Sequence, residues 1–586
     1  MNTETKTCQS CKKPFVIEPD DFDFYTKIKV PPPTWCPECR MIRRFVWRNE
    51  HHLFRRPDAN TNKEVFSSLH PAAPLKTYEL AFWDSDQWDP MQHGRDYDLS
   101  RPFFEQFREL LYAVPWPARS VINGVNSEYS DKASNIKNCY LCFNVTGGEN
   151  CAYGIGMVGT KDSVDLYQAR HSELCYDDFM ADEAYRVFFS VNVEDSTDIW
   201  FSRNLIGCNN CFGCVNLRNK SYHIFNKPYS KESYREYIAK LQSGSHSAVT
   251  KLKKEAQEFW RKNPMRFTLA INVVNSTGEH IEHSKNLQQC FNVHEAENLK
   301  YCQFLDGPVT DSYDYSVWGA GASLMYEAME CGIECAELKF VMNTYPSSEA
   351  LEYCNICRSS SDLFGCVGLH KKQYCILNKQ YSKEEYFKLR EKIIAHMQEM
   401  PYTDKQGRVY RYGEFFPPEF SPFAYNETIA QDFFPLTKAE AEKKGYLWRE
   451  PERREYEATV KTVDLPDDIK DVQDDILKAI IACSDCGKPY RIIEMELQFL
   501  RRIPLPLPHK CPECRFKDRF TFVNPPKFWP AKCQCAGKTD DRKLYTNQNG
   551  GHAHGAEHCA NVFETSYAPE RPDIIYCESC YNAEVA

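Results

Sequence analysis

Long apolar runs are missing from this chain. None approaches the ~20 residues that a membrane-spanning helix needs, and the polar opening MNTETKTC lacks the hydrophobic core of a signal peptide and reaches a candidate metal ligand at Cys8. The sequence therefore predicts no membrane partner, no cleavable leader and a cytoplasmic location. Also missing are a P-loop, a dinucleotide fingerprint, an H-E-x-x-H helix and a nucleophile elbow, so no familiar catalytic constellation is legible. Positive charge is not in excess: 72 Lys and Arg stand against 82 Asp and Glu, a net charge of −10, and any nucleic-acid contact must be local.

What is present is bulk, aromatic side chains and cysteine. At 586 residues the chain exceeds a single core, and 42% hydrophobic with 14% aromatic residues excludes wholesale disorder. Its 28 cysteines, many in C-x-x-C pairs and without an export signal, read as metal ligands of a reducing compartment rather than as a disulfide framework. Cys8, Cys11, Cys36 and Cys39 form one set, and Cys483, Cys486, Cys511 and Cys514 form another with the same spacing; both end in C-P-E-C-R. Four thiolates close a tetrahedral shell and leave no place for water, which predicts two structural Zn2+ ions. A third is expected near the end of the chain on Cys533, Cys535, Cys577 and Cys580, where His558 or Cys559 can replace one member. The histidines of NGGHAHGAEHC form either a solvated loop or a second metal site there.

The two long sets also carry a resemblance. A knuckle followed by an aromatic, an F-Y pair and a proline before C-x-x-C-R is matched by Phe15, Phe24, Tyr25, Pro33 and Arg40, and again by Tyr490, Phe499, Pro508 and Arg515, with Phe499-Leu500 in place of F-Y. At these residues the chain resembles a zinc-ribbon family of bacteria. As a whole it is similar to multidomain zinc-ribbon proteins of uncultivated small-genome bacteria, a likeness that implies architecture rather than activity.

Two further duplications organise the chain. VFSSLHPAAPLKTYELAFW (65–83) echoes VFETSYAPERPDIIYCESCY (562–581), with Glu79 and Phe82 where the later copy has Cys577 and Cys580, so the earlier copy should keep the fold without the metal. Between these brackets, FGCVNLRNKSYHIFNKPYSKESY (212–234) returns as FGCVGLHKKQYCILNKQYSKEEY (364–386). Within each copy, short aromatic or cysteine-rich segments recur about every 12 residues, the pattern of a β-solenoid with two or three segments per coil. Ser382 with Glu385 forms a capping box, and the helix it starts should plug or flank the coil end.

The expected fold is mainly β and multidomain: two tandem β-solenoid, parallel β-helix-like repeats with capping helices, flanked by zinc-ribbon or treble-clef-like modules. The expected order is a ribbon (1–50), a degenerate clef-like module and connector (51–119), solenoid copy 1 with its helix (120–242), a helical linker (243–271), solenoid copy 2 with its helix (272–398), a Pro- and aromatic-rich connector (399–475), a second ribbon (476–524) and a zinc-binding clef-like module (525–586).

Three functions fit this frame. The favoured one is a non-catalytic zinc-binding scaffold offering an extended solenoid surface to a protein partner. The alternatives are a nucleic-acid or ribosome-associated ribbon protein and a carbohydrate-active solenoid enzyme. The second would use Arg40, Arg43, Arg44 and Arg48, which fall on one face of a helix unless they pair with acids such as Asp20, Asp21 and Asp23. The third would need carboxylates such as Asp162, Asp165, Asp177, Asp178, Asp306, Asp311 and Asp314 on an outward face. Stacked coils place like residues over like, so the solenoid cysteines are expected in the core as interior ladders. Pairs such as Cys139 with Cys142, or Cys211 with Cys214, could instead bind metal, against which stands the argument that positions three apart in a strand do not share a face.

Overall fold

The structure, a computed structural model, describes residues 2–343, 347–451, 456–537, 545–549, 551–555 and 557–585. The chain is mainly β and is built around two solenoids, with helices beside them and cysteine modules at both ends of the sequence. It forms two compact units from interleaved segments: Met1–Arg119, Thr268–Glu450 and Pro525–Lys527 in one, and Ser120–Phe267, Pro451–Asn524 and Phe528–Ala586 in the other. The N-terminal ribbon thus shares a unit with solenoid copy 2, and the C-terminal ribbon with copy 1. Packing does not follow the order of the chain.

In copy 1, strands pair in parallel with those twelve residues further on, as Phe143 with Ile155 and Ile155 with Tyr167. Bridges such as Lys137 with Glu149 and Tyr140 with Ala152 extend the same register to the remaining sides. From Asn123 to Phe225 almost every third residue is left-handed, with non-glycine φ between 45° and 62°. Each such residue turns the chain, so a coil has four three-residue sides rather than the two or three segments expected. L-residues resist this conformation by roughly 1–2 kcal/mol each, and Asn and Asp resist it least, which explains Asn123, Asn126, Asn135, Asn138, Asn144, Asn150, Asp162 and Asp165 at corners. Their side chains form a ladder: Asn126 donates to Asn138 (3.1 Å), Asn138 to Asn150 (2.9 Å) and Asn150 to Asp162 (2.8 Å).

The residue after each corner points inward. Ala133, Ile136, Cys139, Cys142, Val145 and Cys151 begin a core that continues through Cys208, Cys211 and Cys214. Positions three apart therefore do share the interior, contrary to the strand argument, because a corner separates them. The cysteines lie in the core, as the stacking of like residues predicts, and among the described residues they form none of the converging metal-ligand groups. A small inward thiol can reach backbone carbonyls of its own and the next coil: Cys151 Sγ lies 3.3 Å from Glu149 O and 3.4 Å from Thr160 O. Ser172 uses its hydroxyl in the same way on Arg170 O and Ala181 O.

Outward residues differ by side. Phe143, Ile155, Tyr167 and Phe179 on one side, and Ala152, Val164, Tyr176, Phe188 and Trp200 on the next, are buried under other elements of the unit. Another side carries Lys137, Glu149, Lys161 and Glu173, half-buried to exposed, with Lys137 paired to Glu149 at 3.0 Å. Copy 2 repeats the plan with one extra residue in its middle coils, where Ala296 pairs with Val309 and Val309 with Ala322. Both copies end in a hairpin: Lys227–Pro228 turns back on Ser221–Ile224, and Lys379–Gln380 on Gln373–Ile376, which occupies the last open edge.

The helices Lys231–Ala239 and Lys383–Glu399 follow, the latter with the expected Ser382–Glu385 box. The second lies along its solenoid through buried Tyr386 and Ile393 and an Arg390–Glu352 ion pair, so it flanks the coils. Phe415, Phe416 and Phe420 of the connector are fully buried, consistent with an ordered segment.

Candidate metal centres and the arginine docking sites

Each ribbon is built the same way. The first knuckle sits at the turn of a hairpin, where Cys8 N donates to Lys13 O and Lys12, left-handed at φ 62°, donates back to Cys8 O. Gly487 takes that left-handed place in the second ribbon and donates to Cys483 O. The other knuckle begins a helix, Pro37–Phe45 or Pro512–Phe520, with Cys36 or Cys511 as N-cap and proline in the first turn. Free N–H groups and the helix dipole favour thiolates at that end. The interval between knuckles holds a helix, Pro19–Lys27 or Glu494–Arg502, so the modules are clef-like rather than a simple ribbon between knuckles.

Cys8, Cys11, Cys36 and Cys39 converge, as do Cys483, Cys486, Cys511 and Cys514, with all ligand atoms of each group within 4.8 Å of one another. Such clusters can hold a metal ion and are compatible with zinc. Hydrogen bonds from Cys36 and Cys39 hold the Cys8 thiol far below its ordinary range, the behaviour of a thiolate surrounded by donors.

The third site takes the composition in which Cys559 replaces one expected member, Cys535. Cys533, Cys577 and Cys580 meet Cys559, whereas Cys535 lies with His552, His554 and again Cys580. The cause is hairpin geometry: Cys533 follows the strand Trp529–Lys532 and Cys559 lies just before its antiparallel partner Val562–Thr565, so both reach the same point. Cys533 Sγ accepts from Cys577 N at 3.2 Å. Burial pushes the Cys577 thiol up, but hydrogen bonds from Ser579 and Asn561 outweigh it and bring it down to about 6.

The earlier copy of this module keeps the hairpin with a carboxylate where the later copy has a thiol. Its hairpin, Phe54–Pro57 against Glu64–Ser67, places Asp58 where the later copy has Cys533. Asp58 accepts from Thr61 N and Oγ1 (both 2.7 Å) and from Glu79 N (2.9 Å), and these bonds hold its carboxyl below its usual range despite burial. A carboxylate thus ties together the segments that thiolates converge on elsewhere.

The arginines after the first ribbon are not a solvent-facing strip. Arg40, Arg43, Arg44 and Arg48 are 1%, 0%, 0% and 3% exposed. The helix Pro37–Phe45 carries Arg40, Arg43 and Arg44 on a face turned onto solenoid copy 2, whereas Arg48 lies beyond its end and not on that face. Buried so, they offer nothing to a phosphate backbone, and apart from Glu50 their partners are distant carboxylates rather than Asp20, Asp21 and Asp23. Arg40 and Arg44 share Asp314 at 2.9 and 3.1 Å. Arg43 pairs with Glu327 (2.6 Å) and Glu414 (2.7 Å), and Arg48 with Glu50 and Glu330. The second ribbon repeats the device on copy 1: Arg515 and Arg519 share Asp165, Arg515 also pairs with Glu496 at 2.7 Å, and Arg519 with Asp177 at 3.2 Å.

Docking also accounts for most of the carboxylates considered as catalytic. Asp165 and Asp314 are clamped as above, Asp177 also holds Lys253 at 2.6 Å, Asp162 pairs with Arg502 and Asp311 with Lys27. Asp178 is buried, which pushes its carboxyl well up, and accepts from Ser190 N at 2.7 Å; Asp306 lies 3.6 Å from His294. A cavity of about 720 Å³ in the copy 1 unit is lined by Lys253, Arg519, Arg571 and Asp573 among others, but its acids Asp177, Asp518 and Asp573 are all ion-paired. Among the described residues, no pair of these aspartates stands outward and clear of cations in the manner a glycosidase requires.

No family model and no curated protein matches the chain. Among solved structures, the "putative acetyltransferase from Desulfovibrio desulfuricans G20" is similar over 49% of this chain and 86% of its own, at 10% identity and a TM-score of 0.09, a likeness too slight to argue from.

Proposed function

We propose that this protein is a non-catalytic, zinc-stabilised scaffold of the cytoplasm, whose solenoids present their polar sides to a protein partner. The observation that carries this reading is the use of the ribbon arginines: the residues best suited to grip nucleic acid are buried in ion pairs with solenoid carboxylates. Zinc fits the role because closed shells of four thiolates stabilise a fold without exchanging ligands. The polar ladders, Lys137 to Glu149 in copy 1 and Lys285 to Glu297 in copy 2, run along sides not covered by the ribbons. Charged groups repeated at fixed spacing along a coil suit an extended protein surface better than a small ligand.

The test is capture of partners from native lysate with and without nuclease, alongside titration of the purified chain with single-stranded RNA and duplex DNA at low and physiological salt. Nuclease-resistant protein partners and no nucleic-acid binding are expected. Partners lost on nuclease treatment, with steeply salt-dependent binding, would overturn the scaffold reading in favour of a nucleic-acid-associated one.

A further inference from the structure

We infer that the C-terminal module holds two metal ions sharing one thiolate, with Cys580 as the bridge. One ion takes Cys533, Cys559, Cys577 and Cys580; the second takes Cys535, His552, His554 and Cys580, each set having ligand atoms within 4.8 Å of one another. This rests on the zinc-binding reading above and adds a site to it.

The second set stands on the orientation of its imidazoles. His554 Nδ1 is 2.6 Å from the carbonyl of Glu557, which can only accept, so Nδ1 carries the proton and the Nε2 lone pair faces Cys535 Sγ at 3.2 Å. His552 Nε2 is 3.0 Å from the Glu584 carboxylate. That carboxylate also accepts from Tyr545 OH, Gln548 N and Asn549 N, so Nε2 donates and the Nδ1 lone pair faces Cys535 Sγ at 3.6 Å. Both rings therefore aim unprotonated nitrogens at one thiol, and a carboxylate and a backbone carbonyl fix their tautomers as outer partners do in metal-binding histidines. Asn547 Nδ2 donates to Cys535 Sγ at 3.1 Å, and its own Oδ1 is held by Tyr576 OH at 2.8 Å.

The hairpin shows where the second set comes from. In the earlier copy the strands are joined by 58–63; in the C-terminal module they are joined by 533–561, and Cys535, His552, His554 and Cys559 all lie in that longer connection. Two thiolates with two imidazoles make a tetrahedral set of two sulfur and two nitrogen donors, which selects zinc over hard cations. With the bridge counted for both, each ion has four protein ligands and no open position, so the pair is structural.

The experiment is metal analysis of the full chain, purified under reducing conditions and loaded with zinc, beside Co2+ titration followed by its visible spectrum. Four zinc ions per chain are expected, one for each converging group. The double variant His552→Ala/His554→Ala should bind three and leave the ribbon ions in place. Glu584→Gln should still bind four at saturation, with one ion held about 10- to 100-fold more weakly. If the double variant loses two ions because the module unfolds, the Co2+ titration of the unaltered chain decides: its fourth equivalent must add the bands of a mixed sulfur and nitrogen site. Saturation at three equivalents, or zinc content unchanged in the double variant, overturns the bridged pair while leaving the ribbon zinc intact. Loss of the ribbon ions as well would instead refute the zinc-stabilised reading as a whole.

Discussion

Asp314→Asn is the sharpest probe of ribbon docking. The Asp314 carboxylate is fully buried and neutralises two guanidiniums, Arg40 through Nε and a second nitrogen (both 2.9 Å) and Arg44 through a single bond (3.1 Å). Arg44 keeps Ser316 and Gln303, both neutral, while Arg40 keeps the carbonyl of Trp35. Removing one partner of a buried ion pair costs about 3–5 kcal/mol because the remaining charge stays out of water. The asparagine oxygen can still accept one bond, so roughly 3–4 kcal/mol is expected. At about 1.4 kcal/mol per decade, the undocked population should rise roughly 10²- to 10³-fold. Native-state hydrogen exchange of the amides in Pro37–Phe45 reads this directly. Asp306→Asn is the control: that side chain is 48% exposed and lies beside His294 of its own solenoid, so its effect should stay within about 0.5 kcal/mol. Equal protection of the helix in Asp314→Asn and in the unaltered chain would refute the claim that this carboxylate holds the ribbon in place.

Cys36→Ala should remove one zinc and release Pro37–Phe45 with its arginines, exposing copy 2 to limited proteolysis while the Ser120–Phe267 segment resists; equal digestion of both solenoids would count against separate units. Burial holds the His280 imidazole below its ordinary pKa, against the pull of Glu279 and Glu282. The unfolded chain takes up a proton near 6.5 that the folded one refuses, so stability present above that pH falls as pH drops below it. His280→Asn, which suits the left-handed corner at φ 50°, should flatten this acid slope in melting temperature against pH; an unchanged slope would assign it elsewhere. Asn138→Val should cost about 1–2 kcal/mol in denaturant unfolding of the copy 1 unit, because a β-branched residue resists φ 51° and the ladder to Asn150 is cut. Asn138→Gly should cost less, and equal losses would discount the corner geometry.

Much of this architecture is local information. Metal-ligand spacing requires nothing beyond a knuckle and a helix start, so both ribbon sites were readable from Cys8 to Cys39 and from Cys483 to Cys514. The twelve-residue beat follows from stacking, since a coil must place like residues over like. The four-sided coil was also written in the sequence, as Asn, Asp or Gly recurring at third positions, but it is hidden from a search for strands because each side is only three residues long. The C-terminal ligand set was half legible: Cys577 and Cys580 form a knuckle, yet the choice of Cys559 over Cys535 depends on which residues a hairpin brings level.

The sequence by itself determined the repeats, the cysteine chemistry and the helical face shared by Arg40, Arg43 and Arg44. Only the tertiary structure decided where that face points. Helical spacing fixes which side chains stand together, but whether they meet solvent or carboxylates depends on residues hundreds of positions away, here Asp314, Glu327 and Glu414. The same holds for the swap of partners, in which each ribbon docks on the solenoid from the other half of the chain. Both solenoids carry an equivalent clamping aspartate, Asp165 or Asp314, so local sequence cannot say which ribbon each receives. That choice is made by the path of the connecting chain and by the packing around each buried ion pair.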